Sequence, residues 1–399
     1  MPYPQLFLQK DNMILQQYED TQTVLSQSEK EIFIDEINTL NEMLSIRKDW
    51  EKLFNNSHDL TPFQSWEWNY AMAKNFSPSE KLKMIVGYNE NHEIVGIAPL
   101  KLTYQRFLGI KVLEFIGSGP SDYLGFLVDE ENKHVFTEAL FNYIKSSNDW
   151  TILNLISLKT ETVNLIEQYL PFEISSQIVC PCSYLPNTMQ EFEKEVHKRE
   201  LNSIKRQLRK LLPQNRLTYI VKKFPENFDD DINSFIELHQ KRHISKGERG
   251  KFYSEARKVR FRNMAKLMYE SGMLRMELLK IDSVLAAINF ILVQNNKKYY
   301  YLSGMNPVFS NFKPGKILIY YMIEDAIEKG YTVFDFLQGN EDYKYFWTNG
   351  EIQLYSAVYF RTRMSSILWR KTKNLKEQMY SSPMIKKSYQ KFAQIALFK

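Results

Sequence analysis

Apolar positions at helical spacing run from Asn38 to Phe54 and stop before the turn-like Asn55-Asn56-Ser57-His58. Glu29–Leu40, which mixes apolar and acidic residues, starts the ordered part. A second helix opens at Thr61-Pro62-Phe63-Gln64 and carries Trp66, Trp68, Tyr70 and Met72. Thr61 suits an N-cap, and Pro62 suits the first turn because that turn needs no N–H from it. Lys83–Tyr88 and Ile94–Leu100 read as strands around a hairpin turn at Asn89–Glu93. Val112–Ile116 is a short apolar strand running into Gly117-Ser118-Gly119-Pro120-Ser121-Asp122-Tyr123, followed by a helix at Glu131–Ser146 and a strand at Thr151–Ser157.

The second half repeats the order. Leu274–Lys280 and Val284–Val293 are strands around Ile281-Asp282-Ser283, Lys298–Ser303 is a strand running into Gly304-Met305-Asn306-Pro307, a helix follows at Pro314–Lys329, and a strand closes the unit at Thr332–Leu337. This is an internal duplication. Between the units lie a long basic helix at Met189–Leu212, helices at Asn233–Ser245 and Glu255–Ser271, and a polar Gly-containing loop, Ser245–Lys251. Meanders mixed with helices predict an α/β (α+β) chain, each half a mixed sheet flanked by helices. The expected division is an extension over 1–28, a first domain over 29–185, a second over 186–360 and a basic amphipathic tail over 361–399.

At 399 residues two domains are expected. A 44% hydrophobic and 25% charged composition is that of a soluble globular chain. Apolar runs such as Ile288–Val293 fall far short of the roughly 20 residues of a membrane span, and Met1–Lys10 has no charged leader before an apolar block. Cys180 and Cys182 stand as Cys-Pro-Cys, too few for a disulfide framework or a zinc site, which makes a reduced, cytoplasmic setting the expectation. The net charge of +5 is uneven: Arg361–Lys399 holds ten Lys/Arg against Glu377 alone, and Lys194–Lys223 is also basic. Such runs are solvated helix faces, or contacts with a polyanion or an anionic membrane.

Tyr299–Trp347 carries most of the chemistry. Gly315 lets a backbone approach an anion, a helix start offers free N–H groups, and Lys313 and Lys316 add charge beside Asn311, so Asn311–Lys316 is an anion site or an ordinary Pro-initiated helix. Asp335 lies between Phe334 and Phe336, and strand alternation turns it to the face opposite both rings. There it orients or deprotonates a substrate, or fixes a loop by accepting backbone N–H bonds. His239 and His243 share a helix face, without a third ligand or an HExxH pattern, so no metal is expected and His239 is a packed histidine, a base or a substrate contact. Asp122-Tyr123 occupies the first-half loop equivalent to Asn306–Asn311 and either binds substrate or caps a turn. Trp68, with Trp66, is core or a sugar-stacking surface.

Phe334-Asp335-Phe336, Gly339, Tyr343-Lys344 and Trp347 resemble the end of a GNAT-superfamily acyltransferase domain, of the CelD-like type associated with cellulose and exopolysaccharide synthesis and related to the Fem peptidyltransferases. Trp66 and Trp68, Ser121-Asp122-Tyr123, Leu238-His239 with Arg242, Ala286-Ala287 and Pro314-Gly315 agree in order along roughly Trp50 to Ala357. Asn311–Lys316 departs from the usual Gln/Arg-x-x-Gly-x-Gly/Ala loop, and His243 replaces the family's aromatic. The resemblance implies tandem GNAT-like domains and direct transfer from acyl-CoA, such as acetyl-CoA, to an amine on a sugar or polar metabolite. On it, Asp335, Lys344, Tyr343 and His239 are catalytic, with Lys344 stabilising charge during transfer or binding phosphate. Asn311, Lys313, Gly315 and Lys316 hold the donor, and Asp122, Tyr123, Arg242 and Trp68 face the acceptor. One alternative is a Fem-type transferase using aminoacyl-tRNA, the one case in which a nucleic-acid partner is expected. The other is a non-catalytic GNAT-like partner of a membrane-associated polysaccharide assembly, peripheral at the inner membrane face through Ile367-Leu368-Trp369 and Ile395–Phe398 of the tail.

Overall fold

The computed structural model describes residues 31–57, 59–105, 109–176, 179–222 and 227–381. The first half runs β1 (Phe33–Ile37), α1 (Leu40–Ser45), α2 (Arg47–Asn56), α3 (Trp66–Ala73), β2 (Glu80–Leu82), β3 (Met84–Tyr88), β4 (Ile94–Ala98), β5 (Leu100–Gln105), β6 (Ile110–Phe115), β7 (Leu127–Val128), α4 (Lys133–Ser146), β8 (Ile152–Leu158), α5 (Thr160–Ile166), β9 (Glu173–Ser176) and β10 (Cys180–Tyr184). The second runs α6 (Met189–Glu195), α7 (Lys198–Leu211), β11 (Leu217–Lys222), α8 (Phe228–Ser245), α9 (Glu255–Glu270), β12 (Leu274–Ile281), β13 (Val284–Gln294), β14 (Lys297–Met305), α10 (Pro314–Glu328), β15 (Val333–Asp335), α11 (Asp342–Tyr345), β16 (Gly350–Ile352), β17 (Tyr355–Phe360) and α12 (Arg363–Ser381).

Among the described residues the strands form three sheets, ordered β1-β3-β4-β7, β2-β5-β6-β8-β17-β9 and β11-β12-β13-β14-β15-β10-β16. The duplication is visible in them. Each half has an antiparallel meander ending in a parallel pair joined through a loop and a helix: β6 with β8 around α4, and β14 with β15 around α10. The long β13 corresponds to β4 plus β5, which Pro99 breaks so that the strand bends from one sheet into the next. The sheets also exchange strands. β10 pairs with β15 and β16 in the second half's sheet, while β17 pairs with β8 and β9 in the first half's sheet.

Local chemistry explains the turns. Asp282 and Ser283, between β12 and β13, both have positive φ (53° and 65°), as a two-residue hairpin turn requires. Thr61 caps a short 3₁₀ turn, Pro62–Gln64, through a reciprocal capping box, and Ser65 then caps α3 by accepting from Trp68 N–H. The helix expected over Met189–Leu212 is two. Val196 is extended and buried, which ends α6, and α7 restarts so that Leu201, Ile204, Leu208 and Leu211 face the sheet.

The two halves share one core. Trp50, Phe63, Trp66 and Trp68 pack with Ile232, Phe235, Met264 and Phe290 in a single cluster. On the other face of the second sheet, α6, α7 and α10 cover Ala286, Ala287, Ile291, Phe334 and Phe336. A buried ionic group lies there: Lys298 Nζ meets Glu277 Oε1 and Asp325 Oδ2, each at 2.8 Å, and Tyr219 donates to Glu277. At the end of the chain, Leu368 and Trp369 of α12 pack on Ile110, Val112 and Ile152, while Met364 and Ile367 are exposed. The tail segment expected to rest on a membrane therefore spends two of its three apolar residues on the first sheet. Ile395–Phe398 lies outside the described residues.

Candidate functional site

β14 and β15 stay paired for three rungs, Lys297 with Val333, Lys298 with Phe334 and Tyr299 with Asp335. β14 then runs on to Met305 while β15 ends, leaving a wedge whose apex is Asp335. Among the described residues no backbone hydrogen bond joins residues 300–305 to the segment that follows Asp335. The first half has the same splay beyond Val112–Glu114 and Ile152–Asn154, but its wedge is closed, because Leu124 N–H bonds Ser157 O at 3.0 Å. Ser157 and Leu337, at corresponding strand ends, both have positive φ (57° and 58°).

Strand alternation operates as expected at Asp335. Phe334 and Phe336 join the helix-side core, and the carboxylate turns to the opposite face. Both its oxygens are engaged: Oδ2 accepts from Tyr123 O–H at 2.7 Å, and Oδ1 accepts from Leu337 N–H at 2.7 Å, which holds the left-handed turn there. Burial pushes its pKa up to about 6 against these two stabilising bonds. Cys182 sits opposite Asp335 in register, Cys180 is bonded to Tyr123, and burial pushes the Cys182 thiol up to about 12 and that of Cys180 further. These thiols are protonated fillers of the apex and poor nucleophiles.

Lys344, at the other side of the apex, is buried and donates to Gln338 O at 2.8 Å, Leu337 O at 3.3 Å and Glu341 Oε2 at 3.0 Å. Gly339 makes room for it: φ is +132°, and a Cβ there would lie 2.7 Å from Lys344 Nζ and collide with Glu341. Gln338 ties the halves together, its Nε2 donating to Asp122 O at 2.7 Å and Ser157 Oγ at 2.9 Å. The Asp122 carboxyl is pushed up to about 7 by burial, opposed by the charge of Lys251.

The wedge is spanned by Arg242, which donates to Ser303 Oγ on β14 and bonds Tyr343 on α11. Tyr343 is raised by burial. His239, one turn earlier on α8, is buried against Phe235 and Phe252, with Nδ1 on Ser303 O at 2.9 Å and Nε2 without a partner among the described residues. Burial and the neighbouring His243 depress it to about 3, so it is neutral near pH 7. Its place is under β14, where Gly304 lets α8 approach: a Cβ there would lie 2.9 Å from His239 N.

At the mouth of the wedge, Asn311 is exposed and Lys313 takes the left-handed conformation that starts α10. The two lysines are anchored to α7: Lys313 Nζ donates to Ser203 Oγ at 2.8 Å and Lys316 pairs with Glu200. Lys316 N–H turns in to Lys313 O, and Gly315 keeps a first-turn N–H with no backbone acceptor among the described residues. Beside them Lys198, Arg199, Arg206, Arg209 and Lys210 of α7 are exposed.

Trp68 is fully buried and its indole donates to Ser121 Oγ at 2.8 Å, so it supports the Gly117–Tyr123 loop from below instead of presenting a stacking face. That loop separates two cavities. One, of about 480 Å³, is lined by Ser118, Pro120, Lys251, Arg257, Arg260 and Tyr301 among others, and the second, of about 520 Å³, by Gln64, Tyr123 and Lys159 among others. The sequence signals for Gln338, Lys251, Arg257 and Arg260 are slight. Lys251 ends the polar loop noted above, and the two arginines look like ordinary surface charge until α9 is seen beside α3.

Residues 198–345 match the family described as Acetyltransferase (GNAT) domain. No curated protein matches the chain by sequence. Its fold is similar to that of FemX (14% identity, 85% of this chain and 99% of that one, TM-score 0.59). It is also similar to the C-terminal domain of a putative lysylphosphatidylglycerol synthetase from Agrobacterium fabrum (11%, 84% and 97%, TM-score 0.53). A third similar structure is L-PGS from Bacillus licheniformis (11%, 80% and 92%, TM-score 0.51). At these identities the likeness is one of fold. The wedge and its flanking strands lie within the residues that match the GNAT acetyltransferase domain family, 198–345.

Proposed function

We propose that the chain is an N-acyltransferase that moves an acyl group from acyl-CoA to the amine of a sugar or polar metabolite in cell-surface polysaccharide synthesis. One observation carries the reading: the second half's wedge is open, with a buried carboxylate and a buried lysine at its apex and a helix start at its mouth, while the first half's wedge is closed by its own loop. The second half is thus the donor-binding and catalytic unit. Gly315 N–H and the α7–α10 cations hold the donor's phosphates. Asp335 and Asp122, with carboxyls raised toward neutrality, take the proton that the attacking amine sheds. Lys344 and Arg242 face negative charge developing on the acyl oxygen. Direct transfer suits an apex whose thiols are protonated.

The test is calorimetry and thermal shift with CoA thioesters of several chain lengths, followed by thiol release on adding amines. Binding of at least one thioester is expected. No binding across the series removes the donor assignment.

A second reading, transfer from aminoacyl-tRNA, is favoured by one observation. Lys313 and Lys316 are tied to α7, whose outer face carries five exposed cations beside the wedge mouth. Tight tRNA binding that weakens steeply between 50 and 200 mM salt, without binding of CoA thioesters, would select it.

A further inference from the structure

The cavity of about 480 Å³ lies between α3, the loop after β6, α9 and β14, and Lys251 in its wall interacts with Asp122, the residue next to Tyr123 at the wedge apex. Its cations are not equivalent. Lys101 is neutralised by Glu80 at 2.5 Å and Glu114 at 3.7 Å. Lys251, Arg257 and Arg260 have no carboxylate at ion-pair distance among the described residues. On α9, Glu255 is taken by Lys258 and Arg262. Arg257 and Arg260 are three residues apart and share a helix face. Arg257 lies over the Tyr253 ring at 4.5 Å, and Lys251 Nζ lies over Tyr301 at 5.5 Å.

Arg257 and Arg260, two cations without a carboxylate partner among the described residues, attract an anion beside Lys251, whose charge acts on Asp122, and arginine's fork matches phosphate oxygens. We propose that this cavity is an acceptor subsite for a phosphate-bearing amine, with the phosphate on Arg257, Arg260 and Lys251 and the amine directed to Asp122 and the wedge apex. The inference rests on reading the cavity as the acceptor side of the transferase. It adds the chemical class of the acceptor, and it assigns Arg257 and Arg260 a binding role.

The experiment uses the full chain and inorganic pyrophosphate, titrated by calorimetry at low salt against wild type, R257Q/R260Q and K313A/K316A. Pyrophosphate affinity should fall at least tenfold in R257Q/R260Q and persist in K313A/K316A, whose substitutions lie at the donor side. R257K/R260K should recover part of the loss, and CoA binding should be unchanged in R257Q/R260Q, which reports that this variant is folded. Equal pyrophosphate affinity in wild type and R257Q/R260Q overturns the proposal. So does loss in K313A/K316A alone, or malonate binding as tightly as pyrophosphate. Pyrophosphate bound through Arg257 and Arg260 in a protein that binds no CoA thioester would remove the acyl-CoA reading and leave the phosphate subsite standing.

Discussion

Tyr123→Phe isolates the bond at the centre of the site. Asp335 is buried, and its carboxyl rises from 3.8 to about 6 even though Tyr123 O–H, at 2.7 Å, stabilises the ionised form. Its folded-state value exceeds its unfolded one, so between those values the folded protein holds the extra proton. Stability is therefore lost as pH rises through this window, by about 3 kcal/mol at 1.36 kcal/mol per pH unit. A hydrogen bond to a charged group contributes about 1.5–3 kcal/mol. Removing it favours the protonated carboxyl, moves the midpoint up by roughly one to two pH units and extends the loss toward neutrality. The substitution should therefore cost about 1 kcal/mol at pH 5, where the folded carboxyl is largely protonated, and about 1.5–3 kcal/mol more at pH 8. Urea denaturation of both proteins at the two pH values measures the difference. A cost equal at pH 5 and pH 8 would refute the idea that Tyr123 stabilises a buried charge.

Lys298→Ala should destabilise by about 3–5 kcal/mol near pH 7, because Glu277 stays buried without its cation and Asp325 keeps only Lys329; a smaller loss at pH 4, read by chemical denaturation, is the accompanying sign. Gly304→Ala places a Cβ 2.9 Å from the His239 backbone and should cost about 1–3 kcal/mol by forcing α8 off β14, visible as a lower Tm. Lys344→Ala should lower turnover by about 10²–10³ with little change in donor KM, as expected for a group that acts in the transition state. A turnover loss accounted for by the unfolded fraction alone would return it to a structural role.

Local chemistry made much of this legible. The Asp282-Ser283 turn, the alternation that turns Asp335 away from Phe334 and Phe336, and the paired order of strands and helices all follow from near neighbours. What could not be read depends on distant partners. Cys-Pro-Cys has neither strand alternation nor strand propensity, yet Pro181 O accepts from Phe336 N–H and the segment lies between β15 and β16. Trp68 belongs to the core because Ser121 and Phe63 meet it there, 53 residues away in the first case. Asp122 and Lys344 are bridged by Gln338, whose type and position carry no pattern.

The exchange of β10 and β17 has a consequence for biosynthesis. β8 waits for a partner that is encoded almost at the end of the described chain, since residues 152–158 pair with 355–360. At about 5–20 residues per second, translation separates the two by roughly 10–40 s. During that interval the nascent first half presents an unpaired sheet edge, open to non-native strand addition. Its sheet closes only after the wedge-forming strands have been synthesised, so this polypeptide cannot mature one half at a time from its N-terminus, and ribosome-bound chains stopped before Tyr355 should be held by chaperones.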